Sequence, residues 1–171
     1  MTLFSTFNVA SQVFCRSALS FGIVNLKPLI PGHVLICPNR VVPRLQDLGA
    51  DEVTDLFLLV QRVGKGLERA FGAQGLTVSC QDGPVAGQSV PHVHIHLIPR
   101  KRTDFPPGES DAIYPLLESS ERALRGNLIA SSSGQTHGGL LVVPKDEDRM
   151  PRSEEEMTRE AQWLRTFFTS G

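Results

Sequence analysis

Three observations predict an α+β domain for this 171-residue chain. Apolar stretches rich in β-branched residues lie near the N-terminus on either side of a Pro/Gly turn, one long amphipathic pattern follows them, and further strand-like stretches come after it. The order strands, helix, strands fits a sheet packed by a helix, not alternating βαβ units. At this length the chain suits one domain with a real core and is short for two.

Ser20-Phe21-Gly22-Ile23-Val24-Asn25 and His33-Val34-Leu35-Ile36-Cys37 read as strands. The turn between them holds Pro28 and Pro31-Gly32, which predicts an antiparallel hairpin. From Asp51 to Phe71, the residues Val53, Leu56, Phe57, Val60, Val63, Leu67 and Ala70 recur in steps of three and four, as on one face of a helix. Gly72 is placed to end that helix in a left-handed cap. Leu76 to Gln81 alternates as a strand, and after a glycine-bearing loop comes His92-Val93-His94-Ile95-His96-Leu97-Ile98, with Pro99 as its expected stop.

Beyond residue 103 the pattern weakens. Asp104 to Ser110 is rich in Pro, Gly and acid, and Asp111 to Leu124 predicts a short helix carrying the only tyrosine, Tyr114. The segment 126–149 holds Ser131-Ser132-Ser133-Gly134, Gly138-Gly139 and a charged run, with an aliphatic patch at Leu140 to Val143, and reads as a flexible loop insertion within the single domain 1–171. Ser153-Glu154-Glu155-Glu156 is a capping box, opening a last helix with Met157, Ala161, Leu164 and Phe168 on one stripe.

Bulk composition excludes several classes. With a net charge of −1, the chain has no general attraction for nucleic acid polymers or anionic membranes, so any recognition of phosphate must be local. No apolar run approaches the length of a membrane span, and Met1-Thr2-Leu3-Phe4-Ser5 lacks the basic start of a secretory signal. Cys15, Cys37 and Cys80 are odd in number and lie among apolar residues, as free thiols in a reducing compartment do. The expected location is cytoplasmic, with the nucleus also open.

Chemistry concentrates at the last strand. Three of the five histidines in the chain fall at alternate positions between aliphatic residues, so a strand here puts the imidazoles on one face and Val93, Ile95 and Leu97 on the other. Alternate residues on a strand stand about 6.6 Å apart, too far for three rings to converge on one ion bound at about 2 Å, so no permanent metal site is expected. A neutral imidazole is instead a nucleophile able to attack phosphorus and later leave. The preceding loop, Gln81-Asp82-Gly83-Pro84-Val85-Ala86-Gly87-Gln88-Ser89-Val90-Pro91, carries amides and a hydroxyl suited to a charged phosphate.

This segment resembles the histidine triad (HIT) superfamily, whose signature is His-φ-His-φ-His-φ-φ with φ apolar. The resemblance narrows to the fragile histidine triad (Fhit) branch of dinucleoside polyphosphate hydrolases on Asn25 with Lys27-Pro28, Pro31-Gly32-His33-Val34-Leu35, Asp51-Glu52-Val53, Gln61-Arg62-Val63-Gly64, Gln81-Asp82-Gly83-Pro84 and Gly87-Gln88, all in order. It covers about residues 4 to 120 and reappears at Arg152 to Met157.

The resemblance implies the HIT fold: a five-stranded antiparallel sheet packed by a long helix and a C-terminal helix, in a homodimer that joins two sheets into one. It implies cleavage of diadenosine triphosphate to AMP and ADP, with His94 attacking the α-phosphorus to form a nucleotidyl-histidine. His92 would orient its neighbours through the backbone, His96 would contact phosphate oxygens, and His33 would complete the network. Gln81, Gln88 and Ser89 match contacts to the polyphosphate, Asn25 the ribose contact, and Ile23 and Leu35 positions that line the base, with Phe4 and Phe7 as possible covers. A divalent cation, Mg2+ or Mn2+, is expected to arrive with the polyphosphate, with no tightly bound cofactor.

The triad alone also serves Hint-like phosphoramidases, nucleotidyl transferases and signalling proteins that act as their nucleotide complex, so these stay open. Two departures stand out. Pro91 replaces the basic residue often found before the triad in animal Fhit proteins, and segment 126–149 is longer than its animal counterpart.

Overall fold

The structure, a computed structural model, describes residues 1–132 and 149–168. A short hairpin, β1 (Leu3–Phe4) and β2 (Phe7–Asn8), precedes a five-stranded antiparallel sheet of β3 (Val13–Arg16), β4 (Ser20–Val24), β5 (Val34–Pro38), β6 (Gly75–Ser79) and β7 (Ile95–Arg100), in the order β3-β4-β5-β7-β6. Three helices pack on it: α1 (Ala50–Phe71), α2 (Ile113–Ser132) and α3 (Glu154–Arg165). The α+β expectation and the antiparallel sheet with its long helix and C-terminal helix stand.

The β4–β5 hairpin pairs Ile23 with Leu35 and Val24 with Val34. Its turn needs Gly32: φ is +89°, and a Cβ there would lie 2.5 Å from the Phe71 ring and 2.8 Å from Pro99. Helix α1 starts where the Gly49 N–H donates to the Glu52 carboxylate at 2.8 Å and ends at Gly72 in the left-handed conformation expected of it. Arg40 holds the same carboxylate, and with the Gly49 bond sets the Glu52 acid at about 2. Leu56, Leu59, Val63 and Leu67 of α1 are buried in the main core with Ile95 and Leu97. Met157, Ala161 and Leu164 of α3 complete it, and Ser153 caps α3 by accepting from Glu156 N–H while Glu156 accepts from Ser153 N–H.

Three sequence expectations change. Regular pairing in the triad strand begins only at Ile95, because the chain from Val90 to His94 bends away and Val93 N–H donates to Val42. Pro99 does not stop the strand: β5 pairing ends at Leu97, so the missing N–H of Pro99 faces no β5 partner. The loop assigned to 126–149 starts too early. Residues 126–132 belong to α2, whose buried Leu124 and Leu128 continue the spacing of Ile113 and Leu117 across Gly126. Residues 133–148 lie outside the described part.

Helix α2 also covers the histidine-bearing face of β7. Ile98, on the same side of β7 as His96, packs with Leu29, Ile30, Ile113 and Leu117, so both faces of β7 are buried.

Candidate active site

His94 and His96 face the same way, their ring centroids 5.2 Å apart, as the alternation predicts. Partner by partner, the hydrogen bonds fix which nitrogen of each ring carries a proton. Leu29 N–H donates to His33 Nδ1 at 3.2 Å, so neutral His33 is protonated at Nε2. That Nε2–H donates to His96 Nδ1 at 2.9 Å, which leaves the proton of His96 on Nε2. Burial holds both rings below the ordinary imidazole range, in keeping with neutral forms.

His92 is set in the same manner. Ser5 N–H donates to its Nδ1 at 2.9 Å, so its Nε2–H is given to the Pro38 carbonyl at 3.0 Å. Ser5 reaches it through a tight turn at φ +54°, which also brings the Phe4 ring to 5.6 Å from His92 and 5.3 Å from His94. Burial, above all, lowers His92 to about 4.

His94 is the exception. Its Nδ1–H donates to the His92 carbonyl at 2.7 Å, so the neutral ring has its lone pair on Nε2. The site therefore sets a lone pair (His94 Nε2) beside an N–H donor (His96 Nε2), the pair needed to attack phosphorus and steady its oxygens.

A carboxylate that sequence reading missed lies between them. Glu121 of α2, 1% exposed, places Oε2 at 3.1 Å from His94 Nε2 and 3.2 Å from His96 Nε2, while its Oε1 accepts from Ser89 N–H at 2.9 Å and Ser89 Oγ at 3.2 Å. Burial pushes the Glu121 acid up, but its hydrogen bonds with His94 and His96 outweigh it and hold it well below the usual range. Glu121 Oε2 thus stands where an oxygen facing the nucleophilic nitrogen of His94 would lie. His94, His96 and Glu121 each offer a ligand atom within 4.8 Å of the others. The relay from Leu29 argues against a metal there, because it puts a hydrogen, not a lone pair, on His96 Nε2.

Other predicted residues are placed as follows. Ser89 points into this site, as expected. Gln88 does not: its amide donates to the Pro43 carbonyl at 2.8 Å. Gln81 Oε1 is buried and has no hydrogen-bond partner among the described residues. Asp82 anchors that loop, accepting from Leu45 N–H at 2.8 Å and from Arg44 at 3.1 Å, and Arg44 first of all lowers its acid. Asn25 accepts from Lys27 N–H at 3.0 Å and sets its amide nitrogen 3.2 Å from His33 Nε2. With that Nε2–H directed at His96, the amide hydrogens of Asn25 are left for another acceptor. Arg152, unassigned in the sequence reading, grips the Asn25 carbonyl through Nε at 3.1 Å and through Nη2, and pairs with Glu160 at 2.5 Å. Ile23 and Leu35 are paired across the hairpin and buried, with Phe4 in the same apolar cluster.

Residues 6–103 match the HIT domain family, and the chain belongs to it. Within that family it is similar to a Schizosaccharomyces pombe protein named bis(5'-nucleosyl)-tetraphosphatase [asymmetrical], 48% identical over 97% of this chain and 93% of the relative. It is also 46% identical to the Arabidopsis thaliana bifunctional bis(5'-adenosyl)-triphosphatase/adenylylsulfatase FHIT, over 92% of this chain and 78% of that protein. The crystal structure of C. elegans NitFhit superposes with a TM-score of 0.68 at 35% identity, covering 96% of this chain and 29% of that one. Plasmodium falciparum diadenosine triphosphate hydrolase, crystallised with Cyclomarin A, gives 0.64 at 26% identity over 93% and 77%.

Proposed function

We propose that this protein is a dinucleoside polyphosphate hydrolase of the Fhit type that cleaves diadenosine triphosphate to AMP and ADP. One observation carries the reading: the His94 lone pair and the His96 N–H stand side by side, each tautomer fixed by its own hydrogen bond. In the first step His94 Nε2 forms a bond to the α-phosphorus. The bond from that phosphorus to the bridging oxygen breaks, and ADP leaves with its electron pair. In the second step water attacks the same phosphorus, returning the electron pair to His94 and releasing AMP. The His92 carbonyl, held to Nδ1–H, steadies the positive charge His94 gains on attack. His96 Nε2–H, Ser89 N–H and Ser89 Oγ donate to the non-bridging oxygens. His33 acts through His96, Asn25 receives the ribose, and Ile23 and Leu35 with Phe4 hold the base. Gln81 supports the polyphosphate, whereas Gln88 must leave Pro43 to do so.

A divalent cation bound with the polyphosphate would shield its charge and stabilise the departing ADP. The names of the relatives span triphosphate and tetraphosphate substrates, and attack next to the bound nucleoside accommodates both, always giving AMP. We further propose a homodimer formed through the free edge of β6, where Val78 is exposed, together with Phe57 and Leu58 exposed on α1. Light scattering checks this: a mass near the 18.7 kDa of one chain would exclude it. No described helix is long and apolar enough to cross a membrane, and the free thiols suit a reducing compartment such as the cytoplasm or nucleus.

The test is His94→Asn, assayed on diadenosine triphosphate, diadenosine tetraphosphate and adenosine phosphoramidate. The variant should bind AMP but lose at least about 10³-fold in kcat. The native enzyme should give AMP plus ATP from the tetraphosphate, with retained configuration at phosphorus. Near-normal turnover by the variant, two ADP from the tetraphosphate, or a higher kcat/KM on the phosphoramidate would overturn the reading.

A further inference from the structure

Every donor assigned above to the α-phosphate is already taken. Glu121 receives Ser89 N–H, Ser89 Oγ and His96 Nε2–H and lies 3.1 Å from His94 Nε2, so one buried carboxylate uses the contacts meant for a phosphoryl group. The nucleoside end is closed to solvent as well. Leu124 and Leu128, three and seven residues further along α2, fall on the same helix stripe and are buried in the apolar cluster that holds Phe4, Val9, Ile23 and Leu35. Ile23, Asn25, Leu35 and His94 are each at most 2% exposed, so a dinucleotide cannot reach any of them in this state.

We propose that α2 is a built-in substrate mimic, with Glu121 in the α-phosphate seat and Leu124 and Leu128 in the nucleoside groove, and that turnover requires a second state in which α2 has withdrawn. The inference rests on the hydrolase reading for which seat is which. Packing alone does not call for an acid at position 121. A carboxylate buried this deeply is costly unless fully paired, and here Ser89 and His96 supply the pairing. The helix is also suited to release. Gly126 sits in its middle with open space around it, and Ser119, Ser120, Asn127, Ser131 and Ser132 are weak helix formers. A polyphosphate brings several charges to a seat that α2 fills with one, and so has the differential affinity that shifts the balance. With about 90% of molecules closed, apparent nucleotide affinity is about tenfold below that of the open site.

The experiment uses the full chain and three measurements: AMP binding by calorimetry, kcat/KM on diadenosine triphosphate, and hydrogen exchange of the 113–132 amides with and without AMP. Glu121→Ala should raise AMP affinity and kcat/KM about tenfold together, and AMP should speed exchange across α2 of the native protein. Leu128→Ser should shift both constants the same way from the nucleoside end, which keeps the test open should Glu121→Ala fail to fold. A fall in AMP affinity in either folded variant, or α2 exchange that AMP slows or leaves unchanged, would overturn the proposal. If AMP expels α2 but no dinucleotide is cleaved, the hydrolase reading fails and the mimic stands. If diadenosine triphosphate is cleaved and neither variant changes AMP affinity, the mimic fails and the hydrolase stands.

Discussion

Mild acid should destabilise this protein before its carboxylates begin to protonate, because burial keeps His33, His92 and His96 neutral in the folded state. Burial lowers His92 from 6.5 to about 4. A second proton would go on the nitrogen that accepts from Ser5 N–H and break that bond. In the unfolded chain the same ring charges at about 6.5. Between these values the unfolded state holds the extra proton, so stability is complete above about pH 6.5 and falls as pH falls toward 4. At about 1.4 kcal/mol per tenfold in proton affinity, His92 alone accounts for about 3 kcal/mol at pH 4.

His33 and His96, also held down chiefly by burial, add losses of the same sign. Against the 5–15 kcal/mol typical of a domain, the sum is a large share. Glu52, held at about 2, and Glu121, lowered by its histidine partners, contribute only below the ordinary carboxylate value near 4.5. The histidines are therefore isolated between pH 6.5 and 4.5. Urea unfolding at constant ionic strength across pH 7.5 to 4.5, with His92 followed by NMR, measures the effect. Stability flat to within about 1 kcal/mol over that range, or a folded-state His92 titrating near 6.5, would refute the tautomer assignments on which the site rests.

Two further outcomes follow from specific contacts. Arg152→Ala removes the grip on the Asn25 carbonyl and the pairing with Glu160; with bonds from a charged donor contributing about 1.5–3 kcal/mol, KM should rise about tenfold while kcat stays within twofold, and a loss confined to kcat would contradict the ribose role of Asn25. Gly32→Ala forces a Cβ to 2.5 Å from Phe71 at φ +89°, so thermal unfolding should show a loss of about 2–4 kcal/mol, and an unchanged Tm would show that the turn relaxes freely.

The sheet, α1 and the capped α3 were legible because their signals are local. Alternation put His94 and His96 on one side, the three-and-four spacing in α1 read directly as a buried face, and the Ser153–Glu156 pair marked a helix start. The tautomer relay was only half legible. A sequence can name His33 as a member of the network, but only a hydrogen bond from Leu29, four residues before it, decides which nitrogen of His96 carries the proton. The placement of Gln88 was not legible for the same reason, since its pairing with Pro43 depends on a loop path that Asp82 and Arg44 set from different parts of the chain.

The helix expected over Asp111 to Leu124 is present as α2, and only its end beyond Gly126 departs from the loop that composition suggests. Gly126 and the serines after it are poor helix formers, and composition made them look like loop, yet Leu124 and Leu128 supply the tertiary packing that overrides propensity. A signal was nevertheless present: Ile113, Leu117, Leu124 and Leu128 form one stripe, and Glu121 sits within it where an apolar residue belongs. An acid on the buried side of a helix must find several donors or stay out of the core. Here the donors it finds are Ser89 N–H, Ser89 Oγ and His96 Nε2–H. The chemistry that would select the substrate is thus also what holds α2 in its place, and any change that strengthens phosphate binding through Ser89 or His96 should tighten the closed state as well.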